Sequence, residues 1–100
     1  MSFVVLDSWT KRLKGLLGTN EHAVPVALLP CSSVHTWFMG YAIDVALVEA
    51  SGRVLASYRN VPPWRFVRAR GASEVLERPA QSSYWPKENE LLVMRLFEGE

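Results

Sequence analysis

The chain has 100 residues, a formal net charge of +1 and apolar residues at 49% of its positions. These values are typical of one soluble globular domain, so we predict a single domain over residues 1–100 and exclude a disordered chain. No run approaches the roughly 18 apolar residues of a membrane span, and the apolar start, FVVL, is too short for a secretory signal. One cysteine cannot form an intrachain disulfide. We therefore expect a cytoplasmic protein without a membrane partner.

The first predicted element is a short helix in DSWTKRLKGLLG, residues 7–18. Asp7 or Ser8 can cap its start, and Gly18 suits its end. Apolar side chains recur at helical spacing on one face: Trp9, Leu13, Leu16 and Leu17. Because Gly15 weakens a helix, we expect about two or three turns.

Short strands are predicted after residue 23. VPVALLP, residues 24–30, is bounded by prolines, which favours an edge strand. HTWFM alternates, which predicts a strand with His35, Trp37 and Met39 on one face. IDVALVEASGRVLASY predicts a hairpin that turns at residues 50–52, and its first strand, apolar on both faces, should be central and buried.

Two further strands are predicted in SEVLER and LLVMRLF. Five or six short strands with one early helix indicate a mainly β fold of the α+β class. We therefore predict a single compact β-sandwich or partly closed barrel with one short N-terminal helix.

Cys31 and His35 are the candidate catalytic pair. They are four residues apart, so a strand would point both side chains the same way. A nucleophilic cysteine needs an adjacent base that a third group holds, and nearness in sequence is no evidence of such a pair. Free cysteines are also often buried. We predict no catalytic residue and lean against an enzyme, while a hydrolase or transferase using Cys31 or His35 stays an alternative.

Metal ligands are sparse in the sequence. Zinc needs three or four ligands at characteristic spacings, and Cys31 with His35 supplies half of such a set. His22 lies in a polar stretch without an evident companion. We predict no metal and no cofactor.

Asp44 opens the strand that should be buried on both faces. A buried carboxylate is costly unless it is paired, so Asp44 needs a partner. The candidates are backbone N–H groups of the turn MGYA, the imidazole of His35, or an arginine such as Arg12. Two interpretations follow: the carboxylate locks the turn, or it anchors the base of a pocket lined by Trp37 and Met39.

The segment between Glu49 and Glu74 has no acidic residue and contains five arginines: Arg53, Arg59, Arg65, Arg68 and Arg70. Trp64 and Phe66 lie among them, a combination that suits phosphate contact and base stacking. Two points argue against nucleic-acid binding. Nucleic-acid binders usually carry a larger net charge. The arginines would also suit a solvated edge strand, where they prevent pairing with another strand. Weak anion or nucleic-acid binding through residues 53–70 is thus a second alternative, and we do not expect nucleic acid as the partner.

Four segments together resemble the domain-of-unknown-function 192 family: KRLKGLLG, CSSVHTWFMGYAIDVALVEASGRVL, PPWR and VLERPA. The resemblance runs from about residue 8 to residue 80. Its most specific element is an aromatic-rich strand, a methionine, a short turn and an aliphatic–aspartate pair, here Trp37, Met39, Ile43 and Asp44. Arg12 and Gly15 match an early R-x-x-G element, and Leu76 with Glu77 matches a late LE element.

The resemblance implies a compact β-sandwich-like fold with a helix near the N-terminus, and no established activity, cofactor or substrate. It also groups five residues as one cluster: Arg12, Trp37, Met39, Asp44 and Glu77. The chain departs from the family pattern in the last hairpin, residues 81–97, where SSYWPKENELL replaces a glycine–aspartate turn. From its strand position alone, Glu77 is expected to form a weak surface ion pair with an arginine.

These patterns together predict a binding domain. A small ligand or a protein partner would occupy a cleft near His35, Trp37, Met39 and Asp44, with Trp64 and Arg65 at its rim. The candidate ligand-binding residues are Arg12, His35, Trp37, Met39, Asp44, Trp64, Arg65 and Glu77.

Overall fold

A computed structural model describes residues 2–8, 11 and 15–93. Within these residues the chain forms seven strands: β1 (Val4–Leu6), β2 (Val26–Leu28), β3 (Ser33–His35), β4 (Ile43–Val48), β5 (Val54–Val61), β6 (Phe66–Arg68) and β7 (Glu74–Pro79). No helix in this part of the chain is long and apolar enough to cross a bilayer.

The strands form two sheets. The larger has the order β1-β2-β7-β4-β5, and the smaller pairs β3 with β6. Only β1 and β2 are parallel; all other neighbours are antiparallel. The prediction of a mainly β fold is therefore confirmed, whereas the described strands do not close into a barrel.

Each face of the larger sheet covers its own core, because alternate side chains of a strand point to opposite faces. From β4, Ile43, Val45 and Leu47 enter the first core, together with Val34 of the smaller sheet. Ala46 and Val48 enter the second core, which Trp85 closes. As predicted, β4 is central and buried throughout.

The predicted hairpin of residues 43–58 is also confirmed. Strands β4 and β5 pair antiparallel, and Gly52 lies in the turn that joins them. Gly52 has a φ of 97°, and a Cβ there would collide with the backbone carbonyl of Leu92. The turn therefore requires glycine both for its conformation and for this close approach.

Two strand predictions are wrong. The segment VPVALLP contains β2, which lies between β1 and β7 and is buried at all three positions, so it is not an edge strand. HTWFM does not continue as a strand, because β3 ends at His35 and a turn follows. Met39 is consequently buried while His35 and Trp37 are exposed, so these three side chains do not share a face.

Two predicted elements near the ends of the chain fall partly outside the described residues. Much of the predicted helix, including residues 9–10 and 12–14, lies outside the described residues, and the described residues 15–18 form a turn. The N–H of Gly15 donates to the carbonyl of Lys11 at 2.9 Å, but the helix is not confirmed. Most of the predicted LLVMRLF strand also lies outside the described residues, and Leu91 forms one bridge with Arg53.

Candidate functional site

Thr36 joins two loops at one end of the smaller sheet. Its side chain is only 1% exposed. Its hydroxyl donates to the carbonyl of Pro62 at 2.7 Å and accepts the N–H of Arg65 at 2.8 Å. Its own N–H donates to the Arg65 carbonyl at 2.8 Å, and its carbonyl accepts the N–H of Trp64 at 3.1 Å. One buried threonine therefore holds residues 36–40 against residues 62–65.

Five ring-bearing side chains project from these loops and from the adjoining strands: His35, Trp37, Phe38, Trp64 and Phe66. We call this group the aromatic surface. Phe38 is 72% exposed, Trp64 58%, Phe66 57% and Trp37 46%, and His35 is exposed as well. The rings of His35 and Trp37 stack with centroids 4.8 Å apart, and Phe38 meets Trp64 edge to face at 4.8 Å. Exposed aromatics normally occur singly, so a group of them that includes two contacting pairs indicates an interaction site.

The backbone is strained at both loop tips. Phe38 has a φ of 65° and Trp64 a φ of 68°. The left-handed region costs an L-residue about 1–2 kcal/mol, and bulky residues there are outliers. The rings of these two residues stay exposed, so burial does not compensate the strain. Backbone strain that burial does not compensate, in a loop fixed by hydrogen bonds, is characteristic of functional sites.

The charge around the aromatic surface is positive. Residues 22–43 and 50–73, which include both loops and both strands of the smaller sheet, contain no Asp or Glu. Arg65, Arg68 and Arg70 are exposed, and no ion pair joins them to a carboxylate of the described residues. The aromatic surface therefore lies in a cationic setting.

Asp44 forms a buried ion pair with Arg78. The two side chains are each 1% exposed, and Arg78 Nε donates to Asp44 Oδ2 at 2.8 Å. Asp44 also accepts the N–H of Asn60 at 2.9 Å and of Gln81 at 3.4 Å. The expected partners were the MGYA turn, His35 or an arginine such as Arg12, and the partner is an arginine, Arg78. That expectation is wrong for the turn and for His35, because the pairing of β4 with β7 sets Asp44 opposite Arg78.

Arg78 fastens the loop that follows β7. Its guanidinium donates to the carbonyls of Ser83 and Tyr84, each at 2.8 Å, and lies 4.7 Å from the centroid of the Trp85 ring. Arg59 adds bonds to the carbonyls of Gln81 at 2.5 Å and Ser83 at 2.7 Å. Asp44 is thus scaffold on the second-core side and is not the floor of a pocket with Met39.

Glu77 is buried in the middle of the larger sheet. It is 4% exposed, and its neighbours across the ladder are Val26 and Val45. Desolvation raises the pKa of Glu77 to about 7, against which a hydrogen bond from the Leu16 N–H acts. The expected surface ion pair is therefore wrong, because β7 is an interior strand.

Tyr41 lies near Glu77 on the first-core side. Burial raises the pKa of its hydroxyl, a hydrogen bond with Thr19 lowers it, and the charge of Glu77 raises it further. The oxygens of Tyr41 and Thr19 are 2.5 Å apart. This contact ties residues 15–23 to the start of β4.

The structure separates the predicted ligand-binding residues. His35, Trp37, Trp64 and Arg65 come together at one end of the smaller sheet. Met39 is buried in the first core, Asp44 and Glu77 are buried on opposite faces of the larger sheet, and Arg12 lies outside the described residues. Sequence reasoning missed three residues that matter here, Thr36, Phe38 and Arg78, and it named Phe66 only in the anion- and nucleic-acid-binding alternative.

The candidate catalytic pair has other contacts. Cys31 is half-buried, and its thiol donates to the carbonyl of Ser33 at 3.1 Å. Nδ1 of His35 accepts the N–H of Trp37 at 3.3 Å. Among the described residues, no three His, Cys, Asp or Glu side chains are grouped in a way that could hold a metal ion.

The chain is similar in sequence to a UPF0127 protein of Thermococcus sibiricus. The two are 34% identical over an alignment 82 positions long, which covers 75% of this chain and 53% of the relative. The chain therefore spans about half the length of the curated relative that it matches. No family model matches the chain.

Two solved structures share the fold. One is a protein of unknown function from Novosphingobium aromaticivorans, with a TM-score of 0.66 and 20% identity, covering 76% of this chain and 61% of that one. The other is a putative transcription regulator from Sinorhizobium meliloti, with a TM-score of 0.66 and 15% identity, covering 76% and 66%. At these identities the likeness concerns the fold alone. The sequence similarity therefore relates the chain to part of one UPF0127 protein, and the two structures relate it to a shared fold.

Proposed function

We propose that this chain is a binding domain whose partner contacts the aromatic surface. The observation that carries the proposal is the pair of exposed, strained aromatics, Phe38 and Trp64. Aromatic and arginine side chains are enriched where partners bind tightly, and a rigid presentation lowers the entropy lost on binding. Thr36 supplies that rigidity through its bonds to Pro62 and Arg65.

The proposal modifies the predicted cleft. His35, Trp37, Trp64 and Arg65 stay in the site, and Phe38 and Phe66 join it. Met39, Asp44 and Glu77 leave it because they are buried. Since the rings project into solvent, the surface suits a partner that lies across it better than a small ligand enclosed on all sides.

Membership of the domain-of-unknown-function 192 family is part of this proposal. It rests on the motifs around Arg12, Trp37, Asp44 and Glu77 and on the similarity to the UPF0127 protein. One structural neighbour is described as a transcription regulator, but at 15% identity that description carries no argument. A cytoplasmic location also stays a prediction, which rests on the lone cysteine.

The contacts of Cys31 and His35 favour binding over nucleophilic catalysis. An activated cysteine needs a base within hydrogen-bond reach of its sulfur. Here the Cys31 thiol is directed at a backbone carbonyl, and the His35 ring stacks on Trp37. These contacts support a structural role for Cys31 and a surface role for His35.

Fluorine NMR of the chain labelled with 5-fluorotryptophan tests the proposal, with Trp→Phe variants to assign the four tryptophans. An extract of the cells that express the chain would be separated into protein, nucleic-acid, lipid and small-molecule fractions. Each fraction would be added in turn to the labelled chain. We expect one fraction to shift the Trp37 and Trp64 signals while the buried Trp85 signal stays in place. If no fraction moves Trp37 or Trp64, the aromatic surface is not a binding site.

A further inference from the structure

The outer face of the smaller sheet is a platform of rings and cations. In the β3–β6 ladder, His35 stands opposite Phe66 and Ser33 stands opposite Arg68. Side chains opposite each other share a face, so these four residues point outward while the intervening pair, Val34 and Val67, packs against the first core. His35 and Phe66 are therefore side by side on one open face, with Arg68 beyond them.

The loops extend this platform. Trp37 stacks on His35 with an interplanar angle of 28° and is still 46% exposed, so part of its ring surface faces solvent. Trp64 is 58% exposed at the neighbouring loop tip, and Arg65 follows it. Exposed rings with cations between them match the two parts of a nucleotide, a planar base and an anionic phosphate.

We propose that the partner of the aromatic surface is a single-stranded nucleic acid, a proposal that rests on the proposed function. Bases of a single strand stack on Trp37, Phe66 and Trp64, and Arg65, Arg68 and Arg70 contact phosphates. Stacking is tolerant of sequence because every base has a flat π-face, so binding is of low specificity. A duplex binds less well, because its bases already stack on one another.

This proposal departs from the expectation that nucleic acid is not the partner. That expectation rested on the net charge of +1 for the whole chain. Three of the carboxylates, Asp44, Glu74 and Glu77, are buried, and none lies in residues 22–43 or 50–73. The local charge at the platform is therefore more positive than the net charge indicates.

A lipid surface and an acidic protein are the competing partners. Both would use the arginines, and both would cover apolar side chains. The stacked pair of His35 and Trp37 favours nucleic acid, because stacking on aromatic rings is how proteins hold the bases of a single strand. Binding measurements with an oligonucleotide, anionic vesicles and a protein fraction distinguish the three classes of partner.

Fluorescence anisotropy of a labelled oligo(dT) of about ten nucleotides, a length in the range of single-strand binding sites, tests the proposal with the full chain. Since three arginines contact phosphates, we expect the logarithm of the binding constant to fall with the logarithm of salt concentration with a slope of about −2. Trp37→Ala and Phe66→Ala should each weaken binding about fivefold or more. Arg68→Ala should reduce the salt slope by about 0.7.

Matched variants on other surfaces serve as controls. Tyr58→Ala removes a 43% exposed aromatic from β5, and Arg53→Ala removes an arginine that pairs with Glu49. Both should bind like wild type. Equal losses in Tyr58→Ala and Trp37→Ala would overturn the proposal, and so would equal affinity for a duplex of the same length.

Absence of oligo(dT) binding at low salt would also overturn the proposal. If anionic vesicles or a protein fraction then shift the Trp37 and Trp64 signals, the partner class is wrong and the binding surface stands. If nothing shifts those signals, the proposed function fails as well. The two failures are thus distinguishable.

Discussion

At the scale of single residues, Asp44 and Arg78 illustrate how a buried charge is accommodated. The pair is enclosed, and beyond Asp44 the Arg78 guanidinium contacts the loop after β7 and the Trp85 ring. Removing one partner of such a pair is far more costly than the pair is favourable, because the other charge is left buried.

We predict that Asp44→Ala loses about 3–5 kcal/mol of unfolding free energy, because it strands the Arg78 guanidinium and two backbone N–H groups. His35→Ala should stay close to wild type, because His35 is exposed. Denaturant melts of the two variants measure the difference. A normal melt for Asp44→Ala would mean that the carboxylate is not structural.

Sequence reasoning about Asp44 succeeded in part. Burial of a carboxylate in an apolar strand requires a partner whatever the fold, so that need was predictable. An arginine was among the expected partners, but which arginine was not predictable, because Arg78 is 34 residues away and reaches Asp44 only through the β4–β7 register. The prediction for Glu77 was wrong for a related reason. The alternation along SEVLER does not reveal that β7 lies inside the sheet, between β2 and β4.

At the scale of elements, local patterns were sufficient where local chemistry decides the structure. The hairpin around Gly52 is an example, since its turn depends on one glycine conformation. The HTWFM segment is the opposite case. Its alternation predicted a strand, but the bonds of Thr36 to Pro62 and Arg65 turn the chain after His35. Those partners are 26 and 29 residues away, so no local pattern could indicate them.

The same bonds make Thr36 testable. Thr36→Val keeps the side-chain volume but leaves the Pro62 carbonyl and the Arg65 N–H without their hydroxyl partner. We expect a loss of about 1–3 kcal/mol in unfolding free energy and faster amide hydrogen exchange at Arg65. Ser82→Ala, which removes an exposed hydroxyl from the loop after β7, is the control. Unchanged exchange at Arg65 in Thr36→Val would show that Thr36 does not hold the two loops together.

At the scale of the whole molecule, buried carboxylates set the pH dependence of stability. Desolvation raises the pKa of Glu77 from 4.5 to about 7, and it raises the pKa of Glu74 as well. Between these values the folded state binds more protons than the unfolded state, so the unfolding free energy falls as the pH rises.

We predict that the stability contributed by protonated Glu77 is fully present below about pH 4.5 and is lost by about pH 7, a change of about 3 kcal/mol. Glu77→Gln should remove most of this slope, and Glu49→Gln, a surface control, should retain it. Denaturant melts at several pH values measure the unfolding free energy and so this slope. An unchanged slope in Glu77→Gln would place the linkage in another group.

The central claim is that the exposed aromatics serve binding and do not hold the fold together. The most direct test is the unfolding free energy of the double variant Phe38→Gly/Trp64→Gly. Glycine relieves about 1–2 kcal/mol of strain at each position, which offsets the lost ring contact and the added chain entropy. We predict a value within about 1 kcal/mol of wild type, whereas Trp85→Ala, in the second core, should lose about 3–5 kcal/mol. A loss of about 3 kcal/mol or more in the double variant would identify the two rings as structural and contradict the account.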